Sequence, residues 1–126
     1  MKTENTSEKC EKSLSSRTVK AAQRFLIHKG YKILEADEKI TPCQIVAFDV
    51  EENTIVFIYT DYIEFDDDDD FDDLELDLKH VDFEKQAIRW LSKNDDYIDV
   101  DVCFATVIAH IIESNRAIIR LHRNIF

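Results

Sequence analysis

The sequence predicts an α/β fold in which a central mixed sheet of about five strands is flanked by helices. Two stretches carry the apolar spacing of amphipathic helices, and several short runs are rich in β-branched and aromatic residues. The single glycine and single proline exclude a loop-rich or low-complexity chain. Along the chain these segments predict the order α-β-β-β-α-β-β.

The first helix is predicted over residues 15–29. Ser15 or Ser16 can cap its start, and Gly30 supplies a left-handed stop at its end. Its apolar stripe consists of Val19, Ala22, Phe25 and Leu26. Residues 1–14 carry almost nothing to bury, so we expect a disordered tail there and a single domain over residues 15–126.

Three strands are predicted next, over residues 31–36, 43–50 and 54–60. A turn at Thr41-Pro42 separates the first two, and Glu51-Glu52-Asn53 joins the last two as a hairpin. Residues 55–58 are apolar without alternation, which is typical of a central strand covered on both faces.

A second helix is predicted over residues 82–94, with Trp90 as its core anchor. Its apolar positions are Phe83, Ala87, Trp90 and Leu91. Two strands are expected to follow, over residues 100–112 and 116–125, joined by a turn at Glu113-Ser114-Asn115.

Composition excludes several classes of protein. A chain of 126 residues with 44% hydrophobic content suits one domain with its own core. Its longest apolar run is far shorter than the ~20 residues of a membrane span, and the polar start does not resemble a secretory leader. Three dispersed cysteines indicate reduced thiols in a cytoplasm, Cys43 and Cys103 being small buried hydrophobes. Neither metal-ligand spacing nor a glycine-rich phosphate loop is present, so we expect no metal and no cofactor.

The negative charge is concentrated in one segment. The chain carries 27 acidic and 16 basic residues, a net charge of −11. Eleven of the acids lie within residues 61–77, which contain no base, and the remaining sixteen acids balance the sixteen bases. Phe65, Phe71 and Leu74 interrupt this acidic segment. It lacks the turn glycine and spaced ligands of an EF-hand loop, so we interpret it as an insertion rather than a selective metal site.

One stretch of the chain resembles a known family. Ala22-Gln23-Arg24-Phe25-Leu26, followed by Lys29-Gly30-Tyr31-Lys32-Ile33-Leu34, resembles the opening of the YraN-like family. These are bacterial proteins with a restriction-endonuclease-like fold, similar to Holliday junction resolvases. Thr54-Ile55-Val56-Phe57-Ile58 is similar to the family's apolar strand, and Asn124-Ile125-Phe126 to its terminus. The resemblance covers residues 17–126 apart from the acidic insertion, and it implies an endonuclease-like domain.

The chemical positions that the resemblance transfers to this chain have lost the residues needed for cleavage. They are Val19, Gln44, Val46, Tyr59 and Asp61. A two-carboxylate site holds Mg²⁺ through anionic oxygens, which Val46 lacks and which Gln44 and Tyr59 replace with neutral groups. The family's lysine stabilises charge on the attacked phosphate, whereas Asp61 would repel it. The resemblance therefore implies a degenerate nuclease that does not cut nucleic acid.

The first functional hypothesis is a non-catalytic protein that acts by binding. A dense row of carboxylates suits a basic protein partner. The predicted contact residues are Asp66, Asp67, Asp68, Asp69, Asp70, Asp72 and Asp73.

The alternative is a nucleic-acid-binding protein or nuclease. Three basic stripes suit phosphate contacts: Arg17, Lys20 and Arg24; Lys85, Arg89 and Lys93; and Arg116, Arg120 and His122. A displaced acidic site could draw on Glu35, Asp37, Asp49 and Asp61. The acidic segment could instead fold back on one stripe. A third interpretation is a homodimer that pairs through the edge of the last strand.

Overall fold

A computed structural model describes residues 6–64, 79–113 and 116–126. It contains two helices and one five-stranded mixed sheet, in the predicted order. The elements are α1 (Thr6–His28), β1 (Tyr31–Ala36), β2 (Ile45–Asp49), β3 (Thr54–Glu64), α2 (His80–Lys93), β4 (Asp101–Glu113) and β5 (Arg116–Arg123). A short 3₁₀ turn, Asp95–Tyr97, lies between α2 and β4.

The strands lie side by side in chain order, from β1 at one edge to β5 at the other. Neighbouring strands are antiparallel except β3 and β4, which are parallel. Parallel neighbours need a crossover connection, and α2 lies within it. The carboxyl ends of β3 and β4 therefore meet at one end of the sheet, together with the start of β2.

The core has two layers, one on each face of the sheet. On one face α1 contributes Val19, Ala22 and Leu26, which pack with Val56 and Ile58 of β3. On the other face α2 contributes Phe83 and Ala87, which pack with Ile55 and Phe57. All four residues of β3 in these layers have no exposed surface, which confirms the prediction of a central strand covered on both sides.

Aromatic rings fill the α2 side. Trp90 meets Phe57 edge to face, with ring centroids 6.0 Å apart, and its indole Nε1 donates to Glu35 Oε1 at 2.8 Å. Trp90 is only half-buried, so it closes the rim of this core while Phe83 occupies the centre. Phe126 stacks on His80 at 4.4 Å, which ties the end of the chain to the start of α2.

Several predicted boundaries need correction. The first helix begins at Thr6, not at Ser15 or Ser16. Residues 6–14 include two lysines, two glutamates and one leucine, which are strong helix formers, so the helix can propagate outward from its packed part. The predicted stop is confirmed: α1 ends at His28, and Gly30 has φ +97°.

The third strand is longer than predicted. It continues past Thr60 to Glu64, since residues 61–64 pair in register with residues 108–111 of β4. The first acids of the predicted insertion are therefore sheet residues. Asp66–Asp70, Asp72 and Asp73 lie outside the described residues, as does the predicted turn at Ser114-Asn115. The last strand ends at Arg123, two residues before the predicted end.

Arg123 connects the far end of β5 to the opposite side of the sheet. Its Nη1 donates to Tyr31 Oη at 3.1 Å, to Asp49 Oδ2 at 3.0 Å and to Glu52 Oε1 at 3.3 Å. Burial lowers the pKa of the Arg123 guanidinium, but its interactions with Cys103, Asp49 and Tyr31 outweigh burial and raise the pKa above its usual value. This one side chain joins β5, β1 and the β2–β3 hairpin.

Cys43 and Cys103 are buried free thiols, as predicted. Burial raises the pKa of the Cys43 thiol well above its usual value, so it packs as a hydrophobe. In the described parts of the chain, no helix is long and apolar enough to cross a membrane.

Candidate functional site

Several of the residues that the sequence analysis singled out lie where β3 and β4 have their carboxyl ends, which we call the carboxyl end of the sheet. The backbone enters β2 there through Pro42, Cys43 and Gln44, and β3 passes beside it with Thr60 and Asp61. In the hairpin, Ile45 of β2 pairs with Ile58 of β3, and both are fully buried. The polar side chains at this end therefore belong to residues that precede Ile45 or follow Ile58.

Gln44 is held on both sides of its carboxamide. Its Oε1 accepts from Thr60 N at 2.7 Å and from Thr60 Oγ1 at 2.9 Å. Its Nε2 donates to the carbonyls of Ile40 and Pro42, both at 3.0 Å. A carboxylate here would face two carbonyl oxygens with no proton to donate. The position is therefore built for an amide and not for an anionic metal ligand.

Gln86 of α2 fixes the preceding residue from the other face of the sheet. Its Oε1 accepts from Cys43 N and its Nε2 donates to Cys43 O, each at 2.9 Å. Gln86 thus satisfies a buried stretch of backbone that precedes β2. Together Gln44 and Gln86 clamp the entry to β2.

The other positions transferred from the family lie on both faces of the sheet. Val19 is buried on the α1 side, and Val46 packs in the α2-side core against Phe57. Tyr59 also packs on the α2 side, and its hydroxyl donates to Asp61 Oδ2 at 3.2 Å. Burial, and then the charge of Asp61, raises the pKa of Tyr59 to about 12. Val46 and Tyr59 therefore lie on the face of the sheet opposite to Val19.

A small cavity of about 80 Å³ lies between α1 and this end of the sheet. Val19, Gln44 and Asp61 all line it, with Thr18, Thr60 and Glu38. Its two acids are Glu38 and Asp61, and Asp61 is already engaged by Tyr59 and by the backbone N–H of Tyr62. Within residues 6–64, 79–113 and 116–126, no three His, Cys, Asp or Glu side chains lie close enough to hold a metal ion.

The alternative acids are dispersed and have separate roles. Glu35 accepts from Trp90, and Asp37 accepts from the backbone of Lys39 in a turn at 2.9 Å. Asp49 lies with Arg123 at the other end of the sheet. The structure does not bring these three together with Asp61.

The basic stripe of α1 borders a groove of about 400 Å³ between that helix and the β4–β5 hairpin. Arg17, Lys20 and Arg24 are exposed along one wall. The floor comprises Ala109 and Ile111 of β4 beside Ala117 and Ile119 of β5, which pair as Ala109 with Ile119 and Ile111 with Ala117. The groove therefore combines three cations with an apolar floor.

The other two basic stripes lie on exposed faces of α2 and β5. Lys85, Arg89 and Lys93 are exposed on the outer side of α2. Arg116, Arg120 and His122 are exposed along β5. Burial, with the charges of Arg120 and His122, lowers the pKa of nearby His110.

Sequence reasoning missed Glu38, Thr60 and Gln86 as parts of this end of the sheet. Glu38 lies only six positions before Gln44, but in a loop whose pattern does not show where its side chain lies. Gln86 lies far from Gln44 along the chain, in a helix whose pattern does not show which strand it contacts. Only the hairpin register could have suggested that Thr60 lies near Gln44.

No protein-family model matches this chain, and no curated protein sequence does either.

Proposed function

We propose that this chain is a non-catalytic protein with a restriction-endonuclease-like fold, and that its acidic segment, residues 61–77, binds a basic protein partner. The order of elements supports this fold, since a meander of three antiparallel strands precedes α2 and a parallel β4. A cytoplasmic location agrees with the free thiols of Cys43 and Cys103.

The observation that carries the proposal is the bonding of Gln44. The position where the resemblance expects a metal ligand holds an amide whose donors and acceptor are all used. Because hydrolysis of a phosphodiester by this route needs anionic metal ligands, the fold here is suited to binding alone.

The charge distribution supports the acidic segment as the contact surface. The rest of the chain has no net charge, so a basic partner experiences attraction toward residues 61–77 and little repulsion elsewhere. The end of β3 anchors the segment's beginning at the carboxyl end of the sheet.

The proposal is tested with a charge-neutralised variant in which the acids of residues 66–77 become Asn or Gln, so that the chain length is unchanged. Proteins cross-linked to wild type are identified by mass spectrometry and then titrated in purified form. We expect basic partners whose binding the neutralised variant loses. The matched control is Glu51→Gln with Asp95→Asn and Asp96→Asn, which removes exposed charge elsewhere. Equal binding by all three proteins would refute the proposed surface.

A second candidate function is nucleic-acid binding, and the groove lined by Arg17, Lys20 and Arg24 favours it. It predicts a gel shift of branched or single-stranded DNA at low salt that weakens as salt rises. The variant R17E/K20E/R24E should abolish this shift. Cleavage of the DNA with Mg²⁺ or Mn²⁺ would contradict the first proposal.

A further inference from the structure

The groove between α1 and the β4–β5 hairpin is open because small side chains border it on all three elements. Ala21 of α1, Ala109 of β4 and Ala117 of β5 line it, and each of these side chains ends at Cβ. Its volume is about 400 Å³, and sites for small ligands typically measure roughly 300–1,000 Å³. The groove is therefore large enough to hold a small organic molecule.

The floor of the groove suits an aliphatic ligand. Ile111 and Ile119 lie on it beside the alanines of β4 and β5, and both are only half-buried. The described residues that line the groove include no aromatic side chain. A flexible hydrocarbon chain gains free energy by covering the floor, whereas an aromatic ligand meets no ring on which to stack.

The α1 wall of the groove suits an anion. Arg17, Lys20 and Arg24 line this wall, and all three are exposed. They occupy positions i, i+3 and i+7 of the helix, so they extend over about 10 Å of its axis. Of the ion pairs between described residues, none involves these three side chains. Their positive charge therefore favours an anionic group in the groove.

We infer that the groove binds an aliphatic carboxylic acid of medium chain length. Its hydrocarbon chain covers Ile111 and Ile119, and its carboxylate lies on the wall formed by Arg17, Lys20 and Arg24. The guanidinium of an arginine presents paired N–H donors that match the two oxygens of a carboxylate. The ligand thus matches both the charge and the apolar surface of the groove.

A polyanion matches this groove less well. A nucleic acid offers its phosphates to the three cations but nothing apolar to the floor. The net charge of −11 on the chain also repels a nucleic acid or an acidic peptide more strongly than it repels a single carboxylate. The site shares no residue with the acidic segment, so the ligand and the proposed basic partner bind different surfaces, and either proposal can fail alone.

The test titrates the full chain with decanoate, below its micelle concentration, in a calorimeter. We expect one saturable site per chain. Decanol keeps the hydrocarbon chain without the charge and should bind at least about tenfold more weakly, because the charged hydrogen bonds are lost. Acetate keeps only the charge and should bind more than about a hundredfold more weakly, because each buried CH₂ adds affinity.

Two variants remove the two properties of the groove separately. R17Q/K20Q/R24Q removes the charge and should bind decanoate no better than wild type binds decanol. Ala21→Leu keeps the charge but fills the groove, so it should weaken decanoate at least about tenfold. Their controls, K85Q/R89Q/K93Q and Ser92→Leu, make the same chemical changes at exposed positions of α2 and should bind as wild type does. Melting temperatures establish that each variant is folded.

Several outcomes would overturn the inference. Wild type could show no saturable binding, or bind decanoate and decanol equally, which would leave the cations without a role. Unchanged affinity in both groove variants would place the site elsewhere. If decanoate does not bind and R17Q/K20Q/R24Q loses a DNA gel shift that wild type gives, the groove serves nucleic acid instead. Binding seen only in the charge-neutralised variant would show that the acidic segment excludes the ligand.

Discussion

Two glutamine side chains hold the backbone before β2 because a carboxamide can donate and accept at the same time. Gln44 bridges Thr60 to the carbonyls of Ile40 and Pro42, and Gln86 pairs with both backbone groups of Cys43. At the residue scale, the position where the resemblance leads one to expect an acid depends here on amide protons.

Gln44→Glu should therefore destabilise the protein by about 3 kcal/mol at neutral pH, since a buried carboxylate would face two carbonyls. The folded protein would favour the protonated acid and raise its pKa above the ordinary value. The destabilisation should thus shrink as pH falls toward about 4. Urea unfolding at several pH values measures this.

The matched control is Gln23→Glu on α1, where the same chemical change should alter stability by less than about 0.5 kcal/mol. Similar small effects in both variants would contradict the clamp. Rescue of Gln44→Glu by millimolar Mg²⁺ would instead show that this position can still form a metal site.

The phenol of Tyr59 should titrate at about 12, because it is buried and donates to Asp61. An unfolded tyrosine ionises near 10, so the stability that depends on Tyr59 should fall between about pH 10 and 12. Asp61→Asn should lower this pKa only part of the way, since burial remains. Phenolate absorbance measures the titration, and Tyr59→Phe identifies the transition. An unchanged pKa in Asp61→Asn would contradict the pairing.

At the element scale, β5 is held by two kinds of interaction besides its ladder. Ile119 and Leu121 pack against the α1-side core, and Arg123 ties the end of the strand across the sheet. The edge strand therefore depends on a side-chain network as well as on its ladder with β4.

Arg123→Met keeps most of the side-chain stem but removes the hydrogen bonds to Tyr31, Asp49 and Glu52. It should cost about 2 kcal/mol of unfolding free energy. It should also raise the pKa of Tyr31, because Arg123 is the cation that lowers it against the effect of burial. Lys85→Met, at an exposed position on α2, is the control and should change neither quantity. A normal melting temperature in Arg123→Met would refute the network's importance.

At the scale of the whole molecule, charge and structure are segregated. The hydrogen bonds of Gln44 and Gln86 at the carboxyl end of the sheet join neutral groups. The net charge of −11, in contrast, comes from residues 61–77. The proposed binding surface and the packed core therefore lie largely in different parts of the chain.

This segregation predicts how the protein responds to divalent ions. Mg²⁺ should raise the melting temperature no more than Na⁺ at equal ionic strength, since carboxylates in a row attract cations without a shaped site. Thermal unfolding in the two salts measures the difference. A saturable rise that disappears in Asp61→Asn would show a site in the small cavity and contradict this expectation.

Local pattern predicted most of the fold. The alternation and apolar runs placed β1 at its observed bounds and the central strand between two layers, because burial on each face leaves a direct record in residue type. The pattern failed at the start of α1 and the end of β3. Polar residues are frequent in both stretches, so hydrophobic periodicity carries little signal there.

The candidate site was less predictable. Aligning motifs named Val46 and Tyr59, but their places in the α2-side core depend on strand pairing and pleat. The clamp of Gln44 on Thr60 joins residues sixteen positions apart, and that of Gln86 on Cys43 joins residues forty-three apart. The first bond depends on how β2 and β3 pair, and the second depends on how α2 packs on the sheet. Local patterns in a single sequence show neither arrangement.

The sequence by itself determined the α/β class, the order of elements, the burial of the central strand and the concentration of charge in one segment. These properties follow from residue type and spacing, which act locally. Only the tertiary structure decided that Gln44 is consumed by a backbone clamp and that Arg17, Lys20 and Arg24 border an apolar groove. Those features exist because elements that are distant in the sequence pack together, and local sequence patterns do not show which elements do so.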